Sequence, residues 1–261
     1  MYPVLYQNEP FTIYSLGVLW ALAAVCAGYV VRLELKRSRL DPELASSMVF
    51  AAAAGGLVGA RLLFILEEWN HFLRSPWDFI FSGAGFSWYG GLIGGTIAVA
   101  WLVGRHGIFW LKAADISAPA LAFGYGVGRI GCFLAGDATW GKVTEVPWAM
   151  AFPNAVAGWV DPLTGVPYSP GVRVHPTQLY EFVLSLFVFG VLWILRKKHF
   201  PHGTIFWLYL VLAGSMRFFV EFWRANPVVG LGMTEYQWIS LAVVALGLLQ
   251  VLRQQRSQVA A

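Results

Sequence analysis

Asp115-Ile-Ser-Ala-Pro119, Phe123-Gly-Tyr-Gly-Val-Gly128, Arg129-Ile-Gly-Cys-Phe133 and Gly136-Asp137 follow one another in a single stretch. It reads as a hydrophobic span, yet it carries an aspartate near its start, glycines at 124, 126, 128 and 131, and an arginine. An isolated arginine at mid-bilayer costs about 3 kcal/mol on insertion scales. Such a residue is kept facing a partner, a cavity or a ligand. Glycines at spacings of two to four permit close helix packing. Directly followed by Arg129, they also suit a polar ligand held inside a membrane.

The whole chain supports that setting. Of its 261 residues, 58% are hydrophobic and only 12% charged, about half the charge of a soluble domain. Thirteen tryptophans and ten tyrosines suit interfacial belts. The net charge of +4 can attract anionic lipid headgroups. Nucleic acid is not an expected partner, because the basic residues are scattered among short loops. Cys26 and Cys132 both lie in apolar spans, so neither a disulfide framework nor a metal site is expected.

Counting about 20 apolar residues per span predicts an all-α integral membrane protein with seven transmembrane helices, at about 12–31, 44–66, 88–104, 113–134, 178–195, 204–223 and 236–252. The first lacks the leader and cleavage site of a signal peptide and is expected to remain as a span. Residues 1–261 read as one transmembrane domain. Residues 135–177, between the fourth and fifth spans, form a proline-rich insertion in which Trp140, Trp148, Phe152 and Trp159 are expected to pack a small head. Segment 67–87 is expected to form short interfacial pieces. Eleven basic residues fall in the loops after the odd spans and four in the others. That asymmetry puts the amino terminus and the head outside and the carboxy terminus in the cytoplasm.

Three spans each carry an arginine: Arg61, Arg129 and Arg217. Arg217 and Glu221 are four apart, on one helix face, where they can pair. The arginines either neutralise Glu221, Asp115 or Glu181 as structural ion pairs, or form a bidentate site for phosphate or carboxylate. Tyr89, followed by Gly90 and Gly91, opens the third span, where the glycines let a backbone or a lipid approach its hydroxyl. Tyr14 reads as an interfacial anchor. His175, Gln178, Tyr180 and Glu181 crowd the start of the fifth span, with Gln178 and Glu181 sharing a face.

These pieces in order resemble the prolipoprotein diacylglyceryl transferases, bacterial inner-membrane enzymes, over nearly the whole length. The matching pieces are Tyr14, Gly59-Ala-Arg61, Gly90-Gly-Leu-Ile-Gly94, Asp115-Ile-Ser-Ala-Pro119, Gly128-Arg-Ile-Gly131, Pro147-Trp-Ala-Met-Ala-Phe-Pro153, His175-Pro-Thr-Gln-Leu-Tyr-Glu181 and Arg217-Phe-Phe-Val-Glu-Phe-Trp-Arg224. The resemblance implies transfer of the diacylglyceryl group from phosphatidylglycerol to the lipobox cysteine thiol of a preprolipoprotein signal peptide, with glycerol phosphate released. Arg129 and Arg217 are expected to clamp the departing phosphate; of the remaining catalytic candidates, Tyr89 is expected to hydrogen-bond the donor lipid or the thiolate, and His175 is the other group that could take up the thiol proton. Substrate contacts are implied at Tyr14, Arg61, Gly90, Gly91, Gly131, Asp137, Gln178, Tyr180, Glu181, Glu221 and Arg224. Neither metal nor cofactor is implied. Tyr89 stands where the family usually has histidine, and Cys132-Phe-Leu-Ala-Gly-Asp137 replaces a segment with two asparagines and a glutamate. Those departures leave open a non-catalytic lipid-binding or transport paralogue, or a transferase with another acceptor.

Overall fold

The computed structural model describes residues 1–8, 11–77 and 85–259. The chain divides into two compact units, Met1–Ala27 with Ser117–Ala261, and Gly28–Ile116. Its main elements are helices: α1 (Ser15–Arg37), α2 (Leu44–Glu67), the short α3 (Trp69–Phe72), α4 (Trp88–Arg105), α5 (Trp110–Ala135), α6 (Thr177–Leu195), α7 (Thr204–Val220) and α8 (Glu235–Val259).

Among the described residues, six helical segments, at α1, α2, α5, α6, α7 with the turn following it, and α8, are long and apolar enough to cross a membrane. The chain is therefore a mostly helical, multi-pass membrane protein. The third expected span is present as α4, but with 18 residues it is not among those six. Its glycines and its terminal Trp88, Tyr89 and Arg105 dilute its apolar character. Helices α1 and α8 run past the expected ends of their spans, because a helix needs backbone hydrogen bonds and not an apolar environment. In α1 the added turn carries Lys36 and Arg37, where positive charge meets the negative end of the helix dipole.

Two small hairpins add to the expected all-α architecture. Strand β1 (Val4–Asn8) pairs antiparallel with β2 (Phe11–Tyr14), so the first helix begins at Ser15 and not at Thr12. The segment Phe11-Thr-Ile-Tyr14 is aromatic and β-branched, a composition that favours strand. Ser15 is buried, and both its amide and its hydroxyl donate to the carbonyl of Pro3, at 2.9 and 3.2 Å. A second pair, β3 (Val228–Gly230) with β4 (Met233–Thr234), precedes α8.

In the unit Gly28–Ile116, α2 and α4 approach backbone to backbone. A Cβ built on Gly59 would fall 2.8 Å from Gly94 Cα and closer still to the Gly90 carbonyl; one on Gly94 would fall 2.8 Å from Gly59 Cα. The glycines of the Gly90-Gly-Leu-Ile-Gly94 motif thus admit a neighbouring helix, the small-residue packing usual in membranes. Gly59→Val is expected to lower the melting temperature of the detergent-solubilised protein by several degrees. Gly104→Ala, where nothing lies within 4 Å of the new methyl, should leave it unchanged. Equal melting of the two variants would refute this packing.

In the other unit, residues 136–176 fold against a core of Trp140, Phe152 and Val174, with Trp159 and Tyr168 packed on it. Trp140 stacks on Phe152 at 5.4 Å, and Trp159 meets Trp140 edge-on at 5.2 Å. Trp148, expected in this core, is instead 57% exposed. The head is sewn to the end of α7: Lys142 N donates to Trp223 O at 2.8 Å, and Gly141 bridges to Arg224. A Cβ at Gly141 would strike the Trp223 carbonyl, His175 and Thr177. Only glycine lets these strands meet.

Candidate functional site

Helix α6 begins at Thr177 with Pro176 at its N-cap, a position where a missing N–H costs nothing. Its first turns turn Gln178 and Glu181 inward, and both are fully buried. Helix α7 ends at Val220 and tightens into a 3-10 turn, Glu221–Trp223. That turn buries Glu221 and leaves Arg224 beside it. From α5 comes Arg129, whose helix accommodates an internal proline, Pro119, as spans do where neighbours re-satisfy the backbone.

These elements converge on two carboxylates. Glu181, 0% exposed, lies 2.7 Å from Arg129 Nε, 3.2 Å from Arg217 Nη1 and 3.7 Å from Arg224 Nη1. Its contact with Arg129 is ionic, without hydrogen-bond alignment at Oε2. Glu221, 1% exposed, lies 2.7 Å from Arg217 Nη2 and 3.7 Å from Arg224 Nε. Asn226 Nδ2 donates to Glu221 Oε1 at 2.5 Å, and Thr234 Oγ1 donates to it at 2.9 Å. Arg217 thus bridges both carboxylates, and its guanidinium also lies 4.8 Å from the Tyr236 ring centroid. Arg129 donates from Nη2 to Tyr125 Oη at 2.9 Å. Arg224 Nη1 donates to the carbonyl of Thr139 at 3.1 Å, and Thr177 Oγ1 donates to that same carbonyl at 2.7 Å.

Arg129 and Arg217 are therefore paired with Glu181 and Glu221, as one of the two readings of the sequence expected of them, and Arg224 joins them. The pairing is incomplete in charge. Three guanidiniums meet two carboxylates, so one positive charge remains, and the three side chains keep 17%, 20% and 10% of their surface accessible. Buried carboxylates hold the forks in fixed orientations, as a bidentate anion site requires. Gln178 adds a second feature: neither end of its buried amide has a hydrogen-bond partner among the described residues. Such a group is costly unless something polar meets it.

Other expected site residues have different surroundings. Asp137 accepts from the amide and hydroxyl of Thr139, at 3.2 and 2.5 Å, and so shapes the turn that aims the Thr139 carbonyl at Arg224. Gly131 lets Leu19 and Leu16 of α1 approach, a packing role. Tyr14 lies on β2 and is 49% exposed. Arg61, Tyr89, Gly90 and Gly91 belong to the unit Gly28–Ile116. There Arg61 donates to the Gly85 carbonyl at 2.7 Å and stands over Phe86, while Gly90 and Gly91 pack against α2. Tyr89 is 42% exposed and meets Trp88 edge-on. His175 pairs through Nδ1 with Tyr180 Oη at 3.0 Å. Burial, and then Lys142, push its pKa below the usual histidine value.

Sequence reading passed over Tyr125, Thr139, Asn226, Thr234 and Tyr236. Tyr125 alone had a local signal, four residues before Arg129 on the same helix face. No group of three or more His, Cys, Asp or Glu side chains suited to a metal occurs among the described residues.

Fold and site define a multi-pass membrane protein with an arginine–carboxylate cluster buried between helix ends and a small aromatic head. The chain belongs to the prolipoprotein diacylglyceryl transferase family, whose model matches residues 3–253. It is 32% identical over 251 residues to the phosphatidylglycerol–prolipoprotein diacylglyceryl transferase of Clostridium tetani, covering 95% of this chain and 96% of the relative. The enzyme of that name from Pseudomonas aeruginosa is 34% identical over 250 residues, 93% of this chain and 87% of the relative. The one from Nitrosospira multiformis is 30% identical over 270 residues, 98% and 87%.

Proposed function

We propose that this chain transfers the sn-1,2-diacylglyceryl group from phosphatidylglycerol to the lipobox cysteine thiol of preprolipoproteins. The observation that carries this reading, beside family membership, is the single uncompensated positive charge of the Arg129–Arg217–Arg224 cluster. A cysteine thiolate attacks the glycerol carbon that bears the phosphate. The carbon–sulfur bond forms, the carbon–oxygen bond breaks, and glycerol phosphate departs. Its phosphate passes from a singly charged diester to a monoester, and the thiol proton ends on that departing phosphate or, where the monoester keeps its second negative charge, in solvent water. Fixed guanidiniums in a site poor in water stabilise such developing charge best. Their field also lowers the pKa of the incoming thiol, the form of which that reacts being the thiolate. Arg129 and Arg217 form the clamp with Arg224 beside them, and the unpartnered amide of Gln178 takes a polar group of the donor lipid.

The test uses purified full-length protein, phosphatidylglycerol vesicles and a lipobox peptide. A diacylglyceryl mass increase on the peptide cysteine is expected. Binding of phosphatidylglycerol without any mass increase would favour the non-catalytic paralogue.

The chain acts as one transmembrane domain in the bacterial cytoplasmic membrane, with seven spans including α4, the amino terminus and the 135–177 head outside, and the carboxy terminus in the cytoplasm. The excess of basic residues in the loops after odd spans supports this orientation. Cysteines introduced into the head should react with an impermeant reagent in intact cells, and ones in the 38–43 loop should not. The reverse pattern would overturn the orientation.

A further inference from the structure

We propose that Trp148, acting through Tyr180, holds His175 in the tautomer that carries its proton on Nε2, so that this histidine meets the substrate as a hydrogen-bond donor and not as the base. The indole N–H can only donate, and Trp148 Nε1 lies 2.7 Å from Tyr180 Oη. The tyrosine oxygen is thereby an acceptor. Its own hydrogen goes to its other neighbour, His175 Nδ1, at 3.0 Å. A ring nitrogen that accepts carries no proton, which leaves the proton of a neutral imidazole on Nε2.

The surroundings keep the ring neutral and in place. Burial and the Lys142 ammonium both disfavour imidazolium at His175. On either side, the backbone is pinned: His175 N donates to Lys142 O at 3.1 Å, and His175 O accepts from Gly141 N at 2.8 Å. Tyr180 is braced edge-on against Trp223 at 6.1 Å. No protein group among the described residues meets Nε2, so its N–H is available to an oxygen acceptor of the lipid or the peptide. Taking up a proton at Nδ1 would instead break the bond from Tyr180. Trp148 is thus a positioning residue, acting through Tyr180 on a donor. This accounts for an indole that lies outside the head core.

The donor role rests on the transfer reaction proposed above, whereas the tautomer can be measured without turnover. Full-length protein with 15N-labelled histidine, in nanodiscs containing phosphatidylglycerol, would be examined at pH 7, with His175→Asn identifying its signals among the five histidines. A protonated Nε2 and an unprotonated Nδ1 are expected. Trp148→Phe and Tyr180→Phe should each mix the tautomers and lower transfer about fivefold, the effect of one ordinary hydrogen bond. His175→Gln, whose amide can donate but cannot act as a base near neutrality, should stay within about tenfold of wild type, above His175→Ala. An Nδ1–H or imidazolium signal in the wild type, or a glutamine variant as inactive as the alanine one, would overturn the inference. The expected tautomer in a wild-type protein that transfers nothing would instead sink the functional reading.

Discussion

Arg217→Ala is expected to reduce diacylglyceryl transfer by about a thousandfold or more, the scale seen when a preorganised charge-stabilising donor is removed. Arg217 contacts both buried carboxylates, at 3.2 Å from Glu181 and 2.7 Å from Glu221, more closely than Arg224, which lies 3.7 Å from each. Its loss removes the cluster's excess positive charge and leaves Glu221, among the described residues, with the more distant Arg224 as its cationic partner. Breaking a buried pair by deleting one partner costs on the order of 3–5 kcal/mol in stability. The alanine variant alone would therefore confound folding with function. Arg217→Lys separates them, because it restores charge without the planar fork that reaches two carboxylates at once. We expect the lysine variant to regain most of the thermal stability and little of the transfer. Near-normal turnover in the alanine variant would rule out the clamp.

The second large effect is expected at Glu181, which carries no positive charge at all. Glu181→Gln keeps size and shape but removes the acceptor charge shared by Arg129, Arg217 and Arg224. The cluster would hold three cations against one carboxylate. Attraction for a phosphate should persist or increase, while the guanidiniums lose the group that aims them. Misplacement by about 1 Å is enough to cost roughly a hundredfold in rate. Transfer should therefore fall by about that factor, while glycerol phosphate, used as a competitor, should bind as tightly as before or more tightly. A variant that loses competitor binding and turnover together would mean that Glu181 maintains the fold and does not orient the clamp. Glu221→Gln should be milder in orientation, because Asn226 and Thr234 still hold that side chain.

Much of this was legible along the chain. Long apolar runs determine membrane helices because the backbone has no other way to satisfy its hydrogen bonds in lipid, and the runs at α1, α2, α5, α6, α7 and α8 needed no tertiary information. Two relations within single segments were also readable. Arg217 pairs with Glu221 one turn later, and Gln178 and Glu181 are buried together on one face. Helical periodicity alone dictates both.

Only the tertiary structure decided what Arg129 and Arg224 meet, that Arg217 also reaches Glu181, and what the glycines are for. Arg129 and Glu181 lie on α5 and α6, separated by the whole head, and no local period links them. Asn226, Thr234 and Tyr236 reach the cluster because the chain after α7 turns back through a short hairpin before α8. Arg224 is held at the Thr139 carbonyl because Gly141 admits Trp223. The same absence of a side chain serves helix packing at Gly59 and Gly94, and at Gly90 and Gly91, where the sequence left open whether a backbone or a lipid approaches. A glycine records only that space is needed, and an arginine only that charge must be matched. Which backbone fills the space and which carboxylate matches the charge depends on contacts between distant segments, and these exist only once the chain has folded.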